Sequence, residues 1–148
     1  MTPAKLKPAP LRHRLLIVDD DESTRLLIAH LLSKDMKIEA QLAGTCEQAV
    51  RLANNYAYDA ILLDLQMPGI GGFGVLKSIR AGSANMATPV MIVSVLSDQE
   101  TNDRCIAAGA DGYLVKPVER RALVYAVKAL LAARGKAKKK PGRLGEDG

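Results

Sequence analysis

Aromatic residues are nearly absent from this chain: one Phe, four Tyr and no Trp among 148 residues. Proteins that hold single-stranded nucleic acid by stacking its bases need more of them, so that mode is disfavoured. Cysteine is equally scarce. Cys46 and Cys105 lie far apart in separate helical patterns and read as two reduced, buried, small apolar residues, with a disulfide or metal pair as the lesser alternative. No apolar run reaches the ~20 residues of a membrane span, and the N-terminus carries no signal-peptide core, so a cytoplasmic protein without membrane attachment is expected. No internal repeat appears, which argues against a solenoid.

Apolar residues make up 48% of the chain, which is enough for a core, and the length suits one domain. The net charge of +5 is unevenly spread. Residues 1–14 and 134–148 each carry +4, so the stretch between them is mildly acidic at −3. The Pro-rich opening reads as a flexible leader over residues 1–12, and the Lys-rich close as a disordered basic tail over residues 134–148. One domain is expected over residues 13–133.

Within that span, short apolar runs alternate with helical patterns. Leu15–Val18, Ala60–Leu63 and Val90–Val93 are apolar throughout, as strands covered on both faces are. Residues 38–43, "IEAQLA", alternate apolar with polar and suit a half-exposed edge strand; "YLV" at 113–115 suits the other edge. Between them run stripes at helical spacing: Leu27, Ile28, Leu31 and Leu32; Ala49, Val50 and Ala53; Val75, Leu76 and Ile79; a weaker one around Ile106; and a long one from Leu123 to Leu131. Thr45 with Gln48 and Ser97 with Glu100 read as capping boxes that start two of these helices. Alternating βα units predict an α/β fold: a doubly wound, five-stranded parallel sheet in the order 2-1-3-4-5.

In such a sheet, ligands bind beyond the carboxyl ends of the strands. The first strand ends in "VDDDE", and four adjacent acids repel one another. Asp21 and Glu22 suit the positive end of the following helix. Asp19 and Asp20 are left at the strand end. The third strand ends in Asp64, the fourth in Ser94 and the fifth in Lys116, followed by Pro117. Singly, each has a plain structural reading: an acid as a helix cap, a serine as a satisfied hydroxyl, a lysine as a solvated one. Jointly, three carboxylates, a hydroxyl and an ammonium at successive strand ends point to a hard cation beside a phosphate. Mg²⁺ suits few carboxylates and several waters.

The segments "LLIVDDDES", "YDAILLDLQMPGIGGF", "PVMIVS" and "GADGYLVKPV" occur in the order, and at the separations, of the receiver domain of bacterial two-component response regulators, which the chain resembles over about residues 13–133. The resemblance implies the flavodoxin-like (βα)5 receiver fold. It implies that Asp64 is the phosphoacceptor for a kinase phosphohistidine. Asp20 would be a direct Mg²⁺ ligand, Asp19 an acidic partner acting largely through water, and Gln66 the donor of a backbone carbonyl to the metal. Ser94 would turn its hydroxyl to the bound phosphoryl group, Lys116 would pair with that group, and Tyr113 would be the aromatic switch residue, although a plain core tyrosine is the alternative. The Lys116–Pro117 bond is expected to be cis. The implied partners are a sensor histidine kinase or phosphotransfer protein and a downstream protein target, with the chain a monomer or a phosphorylation-dependent dimer.

Three departures from the family pattern stand out. Val95 follows the switch hydroxyl where Ala or Gly is usual, and Leu96 comes next; two apolar side chains there should slow attack by water on the phosphoryl group. Gly71 stands where Asp is common, which predicts a more flexible loop. Competing readings are a regulator acting on nucleic acid through its basic tail or a missing output domain, with no specific nucleic acid expected from the chain itself, and a phosphatase with an aspartyl intermediate. The phosphatase is disfavoured because Gln66, not an acid, stands two residues after Asp64. The expected chemistry is therefore self-phosphorylation and slow self-dephosphorylation, without enzymatic turnover.

Overall fold

Five short strands alternate with five helices in the computed structural model, which describes residues 11–139, with side chains through Arg134. The order is β1 (His13–Val18), α1 (Glu22–Asp35), β2 (Ile38–Ala43), α2 (Cys46–Asn55), β3 (Ala60–Leu63), α3 (Gly71–Gly82), β4 (Val90–Ser94), α4 (Gln99–Ala107), β5 (Gly112–Val115) and α5 (Arg120–Lys139). All four strand pairings are parallel, and the sheet runs β2-β1-β3-β4-β5 as predicted. Residues 1–10 and 140–148, which hold most of the expected leader and tail, lie outside the described residues.

The continuous apolar runs divide between two cores. Leu16, Val18, Ile61, Leu63, Val90 and Ile92 face α2 and α3, with Cys105 of α4 in the same cluster. Leu15, Ile17, Ala60, Leu62, Met91 and Val93 face α1 and α5, whose Ile28, Leu32, Leu123, Val127 and Leu130 complete the other layer. Side chains alternate between faces, so a strand covered on both must be apolar at every position. Strand β2 is only half covered and keeps its polar alternation at the edge.

Several local expectations need correction. The α4 cap is Asp98, whose carboxylate accepts from Thr101 N–H at 3.0 Å, rather than Ser97 with Glu100. Helix α4 turns Thr101 and Cys105 inward and leaves Ile106 60% exposed, so its buried face is the one the alanines and Ile106 obscured. Thr45 does cap α2, but Gln48 Oε1 accepts from Gly44 N–H at 2.9 Å, one residue before the cap. In α1, Ile28 and Leu32 are buried while Leu27 is exposed. Helix α5 runs to Lys139, so residues 134–139, assigned to a disordered tail, are helical, and Arg134 pairs with Asp59 at 3.1 Å. Alanine, lysine and arginine favour helix, and extending an existing helix avoids the cost of nucleation.

Both cysteines are free and buried. Among the described residues, no helix is long and apolar enough to cross a membrane.

Candidate functional site

The sheet ladder reaches one residue beyond the strands, and this sets the site. Asp19 N–H donates to Ala43 O at 3.1 Å, Asp64 N–H to Val18 O at 2.9 Å and Lys116 N–H to Ser94 O at 2.8 Å. The backbones of Asp19, Asp64 and Lys116 therefore sit at fixed heights above the carboxyl edge. Gly72 holds Asp64 from behind. A Cβ there would stand 2.3 Å from Asp64 O, so the start of α3 approaches Asp64 as only glycine allows, and Gly72 N–H donates to Leu65 O at 2.9 Å. At Gly71 the backbone has φ +73°, and Ile70, the residue before α3, makes no side-chain cap. The glycine where an acid is common thus serves a left-handed turn.

Carboxylate oxygens of Asp19, Asp20 and Asp64 lie within 4.8 Å of one another. Asp19 and Asp64 are buried, at 2% and 4% exposure, while Asp20 faces solvent. Lys116 Nζ donates to Asp19 Oδ2 at 2.8 Å and lies 3.7 Å from Asp64 Oδ1. One ammonium thus faces three carboxylates. Burial and then the Asp19 charge push the Asp64 carboxyl above its usual range, against the opposing pull of Lys116. For Lys116, burial disfavours the charged form, but the bond to Asp19 and the charges of Asp64, Asp19 and Asp20 outweigh it and raise its pKa. The cluster is short of positive charge and offers only hard oxygen donors, which fits Mg²⁺, with Asp19, Asp20 and Asp64 as the residues that would hold it. Gln66 is exposed beside the cluster, its N–H 3.4 Å from Asp64 Oδ1.

Ser94 and Tyr113 meet through the backbone of Leu96, a residue expected to matter through its side chain. Ser94 is fully buried, and its Oγ accepts from Leu96 N–H at 3.2 Å. The Tyr113 hydroxyl donates to Leu96 O at 2.7 Å, and burial pushes its pKa up. The Leu96 backbone therefore ties the end of β4 to β5. The Leu96 side chain packs against the core, whereas Val95 is 57% exposed. Of the two apolar residues expected to hinder water, Val95 is the more exposed. The Lys116–Pro117 bond is cis. Arg25 was also missed; its Nη1 donates to Asp19 O at 2.7 Å.

Residues 15–128 match the family model described as the response regulator receiver domain. Among relatives, the cell cycle transcriptional regulator CtrA of Caulobacter vibrioides is 34% identical over 118 residues, covering 80% of this chain and 50% of that protein. The gliding motility regulatory protein of Myxococcus xanthus is 37% identical over 114 residues, covering 77% of this chain and 14% of that one. The chain thus spans half or less of the length of these relatives. Among solved structures, the chemotaxis protein CheY4 of Vibrio cholerae superposes with a TM-score of 0.77 at 29% identity, covering 82% of this chain and all of that one. The receiver domain of the sensor histidine kinase PA1611 from Pseudomonas aeruginosa, solved with a magnesium ion in its active-site cleft, gives 0.75 at 27%, covering 82% of this chain and 99% of that one.

Proposed function

The chain belongs to the response regulator receiver domain family, and on that premise we propose that Asp64 accepts a phosphoryl group from a phosphohistidine of a sensor kinase or phosphotransfer protein. The observation that carries this reading is the convergence of Asp19, Asp20, Asp64 and Lys116 at one strand edge. A carboxylate oxygen of Asp64 attacks phosphorus, the N–P bond breaks, and the histidine leaves with its electron pair. Such a transfer needs little beyond positioning and charge neutralisation. Mg²⁺, when bound, supplies most of that neutralisation. Lys116 stands close enough to Asp64 to share the added negative charge, and the Ser94 hydroxyl is the group able to turn toward the phosphoryl oxygens.

Conversion to an acyl phosphate adds negative charge beside Lys116, beyond what Asp64 carries as a bare carboxylate. It adds acceptor oxygens above β4, and the link from Ser94 through Leu96 to Tyr113 is the route by which that change would reach the protein-binding surface. The chain would act in the cytoplasm on a downstream protein, without enzymatic turnover. The Caulobacter relative is named a transcriptional regulator, which favours a second reading in which the receiver governs a nucleic-acid-directed output. The basic residues near the chain ends would add only salt-sensitive phosphate contacts.

The test is intact mass after incubation with Mg²⁺ and acetyl phosphate. One phosphoryl group is expected on the wild type, and none with EDTA or on Asp64→Ala. Phosphorylation that survives Asp64→Ala would overturn the assignment.

A further inference from the structure

Every polar atom of Asp19 is engaged. Its N–H donates to Ala43 O, its Oδ1 accepts from Asp21 N–H at 2.9 Å, and its Oδ2 accepts from Lys116 Nζ at 2.8 Å. The carbonyl oxygen is the fourth, and it accepts from Arg25 Nη1 at 2.7 Å. That oxygen belongs to the peptide unit joining Asp19 to Asp20. The unit is planar, so orienting its carbonyl orients the Cα atoms that carry both carboxylates.

Arg25 reaches this oxygen because of what is missing across from it. Arg25 lies in the first turn of α1, its N–H on Asp21 O at 3.1 Å, and its side chain turns back toward the end of β2. There it lies against Gly44. A Cβ on Gly44 would stand 2.7 Å from Arg25 Nη1 and 3.2 Å from its Cζ. Gly44 does not have the positive φ of Gly69, Gly71 and Gly109, so space, and not backbone conformation, is what the glycine supplies.

We propose that Arg25, seated on Gly44, is a positioning residue for the cation site, holding the Asp19–Asp20 peptide so that both carboxylates face the metal. This rests on the reading of the acidic cluster as a Mg²⁺ site. Residues that orient metal ligands commonly contribute a factor of about 10 to affinity. Charge acts in the opposite direction, since a guanidinium near the site repels a cation. The sign of the effect therefore separates positioning from simple electrostatics.

The experiment is Mg²⁺ titration of the full chain by calorimetry, with circular dichroism as the check on folding. Arg25→Ala is expected to weaken Mg²⁺ binding roughly tenfold. Arg25→Lys, which keeps a donor and the charge, is expected to recover part of the loss. Gly44→Ala is expected to weaken binding as well, because the new methyl displaces a flexible guanidinium. In the Arg25→Ala background it should add nothing. Binding by Arg25→Ala as tight as wild type, or tighter, would overturn the proposal, as would additive losses in the double variant. Should Arg25→Ala fail to fold, Gly44→Ala carries the test, and unchanged affinity in it overturns the proposal. A wild-type chain that takes up no Mg²⁺ overturns instead the reading beneath the proposal, and shows this before any variant is made.

Discussion

Asp64 is the residue at which burial and charge conflict most. It is 4% exposed, faces the Asp19 carboxylate and has Lys116 3.7 Å away, so its charged form is disfavoured before any phosphoryl group arrives. The same small space would govern how an acyl phosphate on Asp64 is lost, because water would have to reach it. Val95, directly after Ser94 at the end of β4, is an exposed apolar side chain. Replacing it with alanine is expected to shorten the phosphoryl half-life several-fold while leaving incorporation by acetyl phosphate unchanged. Loss of radiolabel from purified phosphoprotein measures this, and an unaltered half-life would exclude shielding by Val95.

Helix α4 shows how a short element is held by its first residue. Its sequence QETNDRCIA buries only Thr101 and Cys105, so apolar packing contributes little and the cap contributes more. Asp98 accepts from both the hydroxyl and the N–H of Thr101, and the hydroxyl bond first, then the backbone bond, holds its pKa below the usual carboxylate value. A carboxylate with a lowered folded pKa stabilises the fold above its unfolded pKa and stops doing so as pH falls through the folded one. Asp98→Ala is therefore expected to lower the thermal midpoint at neutral pH, with the gap to wild type closing in acid. Scans at the two pH values test this; a gap that persists in acid would mean that the Asp98 charge is not what holds α4.

At the scale of the whole molecule, the two ends of the sheet have separate tasks. The carboxyl end carries the acidic cluster. At the other end, Asn85 lies fully buried in the loop before β4. Its amide donates to Ala53 O and to Tyr56 O, each at 2.7 Å, while its Oδ1 accepts from Tyr58 N–H and from the Thr88 hydroxyl. One side chain thus joins the end of α2, the approach to β3 and the approach to β4. Asn85→Ala leaves several buried polar groups without partners, each costing about 1–3 kcal/mol, so a loss of roughly 3 kcal/mol or more is expected in urea unfolding. Phosphorylation of the fraction that remains folded should be unaffected, since the network does not touch the site. A variant with wild-type stability would show that water replaces the amide at no cost.

The strand order, the two-sided core and the presence of acids at the strand ends were all legible in the residue pattern. They follow from periodicity and from which residue types end an apolar run, and these are properties of neighbours along the chain. Asp19, Asp20 and Asp64 could be placed at one edge once the order 2-1-3-4-5 was inferred. What could not be read were relations across the fold. Nothing in "TRLLIA" marks Arg25 as the partner of a carbonyl six residues back, because the space it occupies is made by Gly44, in the loop after β2. Nothing in "VLSD" says that the Leu96 backbone, rather than its side chain, joins Ser94 to Tyr113, or that Asp98 rather than Ser97 caps α4. The direction of Ile106 and the helical extension to Lys139 belong to the same class. Local pattern states what a residue prefers to bury or to bond; which partner it meets depends on the element packed opposite, and that exists only once the chain has folded.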